Sequence, residues 1–162
     1  MKTVAPGIPA WQTKMSETSN DAFLPFSKPT IGPAAIAEVV ACLESGWITT
    51  GPRTKLFETM LRDYLRAPCA LTCSSATAGL LMTMIALDLQ PGDEVITTAM
   101  TFAATLNSIV LAGGKPVLVD VEPHTYNLDV KDLKAAITAR TRAIMPVHFA
   151  GLPVDLDSIY AL

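Results

Sequence analysis

Between Cys69 and Val147 short apolar runs alternate with stretches of helical periodicity, and this alternation limits the possible folds more than any other feature of the chain. The run Cys69 to Cys73 leads into a helical stretch from Ala78 to Leu89. Pro91-Gly-Asp93 then turns the chain into a strand-like Glu94 to Thr98. A helix from about Ala103 to Ala112, a strand Pro116 to Val121, a helix Leu128 to Ile137 and a strand Ala143 to Val147 follow. Strands joined through helices pair in parallel, because the crossover carries the chain back to its starting edge, and helices on the faces demand apolar strands. The pattern therefore predicts an α/β domain with a mostly parallel sheet and flanking helices. Asp155 to Leu162 opens one more helix without a C-cap, and about four strands with an unfinished crossover read as a chain that ends early.

Two helices are expected ahead of the sheet. Ile36, Val39, Val40 and Leu43 recur at helical spacing between Gly32 and Ser45, with Pro33 suited to the first turn and Gly46 to the stop. After the turn Trp47 to Pro52, a second pattern uses Phe57, Met60, Leu61, Tyr64 and Leu65 and ends near Pro68. Residues 1–22 lack such periodicity and are rich in small polar residues and proline, so they read as a mobile arm, with 23–162 as the folded domain.

Composition excludes several functions. With 17% charged residues and a formal net charge of −3, nothing suggests a surface built for nucleic acid or an anionic membrane. Apolar stretches such as Leu80 to Leu87 fall short of the roughly 20 residues of a membrane span, so no membrane insertion is expected. Cys42, Cys69 and Cys73 form no metal-binding spacing, and no metal is expected; a reducing cytoplasm fits them best. Cys69 and Cys73, in an apolar run, read as buried structural thiols.

In open parallel sheets ligands bind beyond the carboxyl ends of the strands, where loops enter helix N-termini. The first such loop is Ser74-Ser-Ala-Thr-Ala-Gly79. Its small side chains let an anion approach the unpaired N–H groups of a first helical turn, and Ser75 or Thr77 can add a hydroxyl. The alternative use is a plain serine N-cap. The second loop, Ala99-Met-Thr-Phe102, places a ring that can either cover a flat ligand or join the core. Neither a GxGxxG nor a GxxxxGK[ST] motif is present, which argues against a dinucleotide or P-loop site. His148, after the last strand, can face the same edge or serve as a hydrogen-bonded structural histidine. Trp47, Thr49 and Thr50 offer an aromatic face and two hydroxyls, suited to a sugar and its phosphates, or form only a turn between helices.

Several motifs occur together in order: Ser45-Gly-Trp-Ile-Thr-Thr-Gly-Pro52, Ser74-Ser-Ala-Thr-Ala-Gly79, Pro91-Gly-Asp-Glu-Val-Ile96, Thr101-Phe102, Pro116-Val-Leu-Val-Asp120, Pro146-Val-His-Phe-Ala-Gly151 and Asp155-Leu-Asp157. From Phe23 to Leu162 the chain thereby resembles the opening of the DegT/StrS family of sugar aminotransferases. The resemblance implies part of the large domain of an aspartate-aminotransferase-like fold (fold type I), with pyridoxal 5'-phosphate as cofactor. Ser75, Ala76 and Thr77 would then hold the cofactor phosphate and Phe102 would stack on its ring. Trp47, Thr49, Thr50 and His148 would meet the substrate. The reaction implied is amino transfer from glutamate, giving 2-oxoglutarate, to a keto-sugar nucleotide of the UDP-4-keto-pentose type, in the making of lipid A or polysaccharide sugars, by a cytoplasmic homodimer when full length.

The family keeps the lysine joined to the cofactor, and the acid that meets the pyridine nitrogen, further along than residue 162. No catalytic residue is therefore assigned within this chain, and the chain alone is expected to be inactive. The seven lysines read as arm, helix-exterior or turn residues, and Asp120 as structural. Two other readings stand beside this one: a sugar dehydratase of the same family, and a non-catalytic α/β binding module.

Overall fold

The computed structural model describes residue 25 and residues 27–162, and the arm expected over residues 1–22 lies outside them. The described residues fall into two compact units, divided between Leu56 and Phe57.

The first unit contains α1 (Pro33–Glu44) and the start of α2 (Pro52–Leu65). Gly32, in extended conformation, precedes Pro33 at the first helical position, where its missing N–H costs nothing. The helix closes at Ser45, whose hydroxyl donates back to the Cys42 carbonyl at 2.6 Å. The apolar positions that identify α1 in the sequence, Ile36, Val39, Val40 and Leu43, are all exposed.

The second unit holds the sheet. After the rest of α2 come α3 (Ala76–Ala86), β1 (Glu94–Thr98), α4 (Ala103–Leu111), β2 (Lys115–Val119), α5 (Val130–Ala136), β3 (Thr141–Ile144), a 3-10 turn (Phe149–Gly151) and α6 (Leu156–Tyr160). The three strands are parallel in the order β2-β1-β3. Glu94 to Thr98 lie opposite Lys115 to Val119 on one side. On the other, the register with β3 shifts between Glu94 and Val95.

Every residue of β1 is buried, and adjacent side chains take opposite faces, as the twofold repeat of a strand requires. Val95 packs with Met84 of α3, Ile109 of α4 and Leu89. Ile96 packs with Val119, Leu133 of α5, Ile159 of α6, Leu128 and Val154. The crossover from β1 to β2 thus lies on one face and that from β2 to β3 on the other, which gives a helix–sheet–helix sandwich with β1 at its centre. Thr97, although fully buried, donates its hydroxyl to the Met145 carbonyl at 2.8 Å, so the strand carries a polar side chain inside without leaving it unpaired.

The amino end of β1 carries a charge cluster. Glu94, buried, accepts from Arg140 Nη2 at 2.9 Å, Lys115 Nζ at 3.2 Å and the Thr138 hydroxyl at 2.8 Å. These donors, the Thr138 hydroxyl first, then Arg140 and Lys115, lower its pKa to about 2.

Four expectations need correction. Cys69 to Cys73 is not a strand: it has no ladder partner among the described residues, so the sheet has three strands there rather than four. The segment is fastened instead by Glu58 Oε1, which accepts from the Thr72 N–H at 2.8 Å and its hydroxyl at 2.9 Å. Without a paired strand among the described residues, Cys69 and Cys73 are exposed rather than buried, and Leu71 is 82% exposed. The final helix is also closed, with Ala161 donating to the Asp157 carbonyl at 3.1 Å, and Lys115 opens β2 instead of lying in a turn.

Candidate functional site

Helix α3 opens on Ser75, which is extended and accepts from the Ala78 N–H at 3.1 Å. The serine is therefore the N-cap, and the Gly79 N–H bonds the Ser75 carbonyl at 3.1 Å. That leaves the N–H groups of Ala76 and Thr77, which have no acceptor among the described residues. Both residues are exposed. Two free N–H groups at the positive end of a helix of 11 residues, beside a threonine hydroxyl and no larger side chain than Thr77, form an opening for an anion. The N-cap and anion readings of this loop are thus compatible: the cap occupies one N–H and leaves two.

Phe102 is the N-cap residue of α4 and is 79% exposed, so it takes no part in the core of this unit. The loop before it is held by the Met100 N–H to the Thr98 hydroxyl at 3.2 Å and by the paired hydroxyls of Thr101 and Thr105 at 2.8 Å. Met84 and Ile109, near the C-termini of α3 and α4, meet Val95 at the amino end of β1. With their C-termini together and the two helices packed side by side, their N-termini lie toward the carboxyl edge of the sheet. Ser75, Ala76, Thr77 and Phe102 thus belong to one end of the unit. At the same edge a cavity of about 240 Å³ is lined by Thr98, Ala99, Met100, Asp120 and Val121. Asp120 accepts from the Val121 N–H at 2.8 Å, a local bond.

His148 lies beyond the end of β3, which stops at Ile144 rather than reaching Val147. Its Nδ1 accepts from the Val154 N–H at 3.0 Å, so the ring is anchored and its proton sits on Nε2. His148 is exposed as a residue, so this anchor does not bury it. What holds the loop is Asn127, a residue absent from the sequence reading. It is 6% exposed, donates to the Leu152 and Pro153 carbonyls, both at 3.2 Å, and accepts from the Phe149 N–H at 3.1 Å. The only local hint in the sequence is an Asn beside the apolar Leu128, just ahead of the α5 N-cap Asp129.

In the first unit Trp47 is set by three contacts. Its Nε1 donates to the Thr50 carbonyl at 3.0 Å, its N–H to the Ser45 hydroxyl at 3.2 Å, and its carbonyl accepts from the Cys42 thiol at 3.3 Å. The indole lies on Gly51, where an added Cβ would stand 2.1 Å from Nε1; glycine is required for this approach. A cavity of about 240 Å³ beside it is lined by Trp47, Thr49 and Arg53 among others, while Thr50 serves through its carbonyl. Arg53 is paired with Glu38 at 3.3 Å.

Among the described residues no group of histidine, cysteine and carboxylate side chains could hold a metal, and no helix is long and apolar enough to cross a membrane.

Known proteins resemble the chain over most of its length. An uncharacterised protein of Methanocaldococcus jannaschii, MJ1066, is 48% identical over 139 residues, covering 86% of this chain and 36% of that protein. The protein Spr1654 of Streptococcus pneumoniae, assigned as a sugar aminotransferase and solved in its PMP form, is 44% identical with a TM-score of 0.79, covering 85% of this chain and 35% of its own. A GDP-4-keto-6-deoxymannose-3-dehydratase, solved with a trapped PLP-glutamate geminal diamine, is 27% identical with a TM-score of 0.80, over 85% of this chain and 37% of the dehydratase. The chain spans about a third of the length of these relatives. The model of the DegT/DnrJ/EryC1/StrS aminotransferase family matches residues 29–162, and the chain belongs to that family.

Proposed function

We propose that the protein to which this chain belongs is a pyridoxal-phosphate-dependent aminotransferase that moves an amino group from glutamate to a keto-sugar nucleotide, of the UDP-4-keto-pentose type, for lipid A or polysaccharide sugars. The observation that carries the reading is the pair of free N–H groups at Ala76 and Thr77, set at the same end of the unit as the bare ring of Phe102. An anion cradle and an exposed aromatic face fit a flat, phosphorylated cofactor. Family membership and the PMP-bound relative support its identity.

When bound, pyridoxal phosphate supplies the electron sink that stabilises charge at the carbon losing or gaining the amino group. The chain's own residues hold and orient it. Ala76 and Thr77 would bind the phosphate through backbone N–H, with the Thr77 hydroxyl as a third donor, and Ser75 would keep the first helical turn in place. Phe102 would cover one face of the ring and exclude water from it. His148 would offer its Nε2 proton to substrate or cofactor, the ring being oriented by Val154. Trp47, Thr49 and Thr50 are proposed to receive part of the nucleotide sugar, the indole giving an apolar face against a pyranose or a base.

The test uses the full-length protein loaded with cofactor. Addition of glutamate should change the cofactor's absorbance and release 2-oxoglutarate, and a UDP-4-keto-pentose should then restore the first spectrum. The dehydratase relative gives a second outcome a definite form: loss of water from a deoxy-keto sugar with no net transfer of nitrogen would replace transamination by dehydration.

A further inference from the structure

The loop from His148 to Val154 reverses direction within a few residues. Ala150 at φ 51° and Gly151 at φ 84° make the bend, and a β-carbon is tolerated at the first only at some cost in strain. The bend brings the Phe149 N–H and the carbonyls of Leu152 and Pro153 onto one side chain, the carboxamide of Asn127. The next N–H along, that of Val154, is the one received by His148 Nδ1. Asn127 thus grips the residue after His148 and the two residues before Val154, on both sides of the bond that orients the ring.

Asn127 is itself held. Its N–H donates to the Thr125 hydroxyl at 3.2 Å and its carbonyl accepts from the Glu122 N–H at 2.9 Å. Val121 and Leu128 pair in an antiparallel bridge around it, and Tyr126 adopts φ 56° to complete the turn. The Tyr126 ring lies 5.6 Å from that of Phe149, a second tie between the loop after β2 and the loop after β3. A buried amide using both donors and its acceptor on one loop resists any shift of that loop.

We propose that Asn127 is a positioning residue for the reaction: by fixing the loop 148–153 it holds His148 in one tautomer and one orientation, with Nε2–H presented to substrate or cofactor. The proposal rests on the role given to His148 above. It requires that the effect of Asn127 on turnover pass through the histidine ring.

The experiment uses the full-length protein with His124→Gln, which leaves His148 as the single histidine of this region, and adds Asn127→Ala, Asn127→Asp, His148→Ala and the double variant. Asn127→Asp retains the acceptor for Phe149 and the shape of the side chain but loses both donors, so it reports if the alanine variant fails to fold. Ring nitrogen NMR near pH 8, where imidazoles are neutral, should give a pure Nε2–H tautomer in the parent and a mixture in either Asn127 variant. The glutamate half-reaction should slow at least about tenfold in its maximal rate, with a smaller change in half-saturation, and Asn127→Ala should add little to His148→Ala. An unchanged tautomer, or an Asn127 effect of equal size with and without the imidazole, would overturn the proposal alone. A His148→Ala protein that turns over like the parent would overturn the role given to the histidine, and the proposal with it.

Discussion

Replacing Gly51 by alanine sets a methyl group against the Trp47 indole. The added carbon would lie 2.1 Å from Nε1, 2.2 Å from Cδ1 and 2.8 Å from Cε2, so the ring must retreat by more than about 1 Å to reach ordinary contact. A retreat of that size stretches the 3.0 Å bond from Nε1 to the Thr50 carbonyl out of hydrogen-bond range. Trp47 is 56% exposed, so its ring can swing outward without distorting the helix ends. The cost is then the lost bond, about 1 kcal/mol net, and the lost burial of part of the indole, about 1 kcal/mol more. With a urea slope of about 1–3 kcal/mol/M, the transition reported by Trp47 should move down by roughly 1 M. In a Trp11→Phe background, which leaves Trp47 as the one indole of residues 1–162, the emission from this region should shift to the red and iodide quenching should rise. Unchanged emission and quenching together with an unchanged midpoint would refute the claim that glycine holds this ring, and with it the assignment of Trp47 as a preset face for a sugar nucleotide.

Ser75→Ala removes the N-cap of α3 and should cost about 1 kcal/mol in denaturant unfolding; by loosening the first turn it should also weaken cofactor binding, read by equilibrium dialysis. Phe102→Ala, at an exposed ring, should alter stability by no more than about 0.5 kcal/mol while raising the cofactor's dissociation constant; a large stability loss would mean that the ring packs against protein. Thr97→Val leaves the Met145 carbonyl without its 2.8 Å donor inside the sheet and should destabilise by about 1–2 kcal/mol. The pKa of Glu94 is depressed to about 2, so its contribution to stability is complete above the unfolded value near 4.5 and disappears as pH falls between the two. Glu94→Gln should therefore be less stable than the parent at neutral pH, and acid titration should close the difference across that window; a constant difference down to pH 2 would contradict the linkage.

The elements of the sheet were legible where local pattern and tertiary environment agree. Glu94 to Thr98 is legible with its observed bounds because Pro91-Gly-Asp93 marks its start and the strand is buried on both faces. Cys69 to Cys73 has the same apolar composition, yet a strand is a pairing and not a composition. Nothing in five residues records whether a ladder partner stands beside them. The exposed thiols follow from the same point. Helix limits moved by one to a few residues where a cap decided them: Asp129 captures the Lys131 N–H at 2.8 Å and starts α5 after the expected Leu128.

The site divides along a similar line. A run of small residues before a helical pattern is visible as text, and by position alone the loops at Ser75 to Thr77 and at Phe102 could be named as candidates. Asn127 could not, because its partners lie 22 to 26 residues away, and in sequence it is one polar residue of an irregular stretch. Gly51 gave no signal of its own for another reason: its function is to lack a side chain, and the need appears only once the indole is seen on top of it. The groups proposed to touch a ligand are thus candidates by residue type and loop position, whereas the groups that orient them are not. The orienting groups act through long-range contacts made by backbone carbonyls and amides, which every residue carries. A sequence therefore identifies the surface of such a site earlier than the framework behind it. The framework is where substitutions should change rate while leaving every ligand-contacting residue in place.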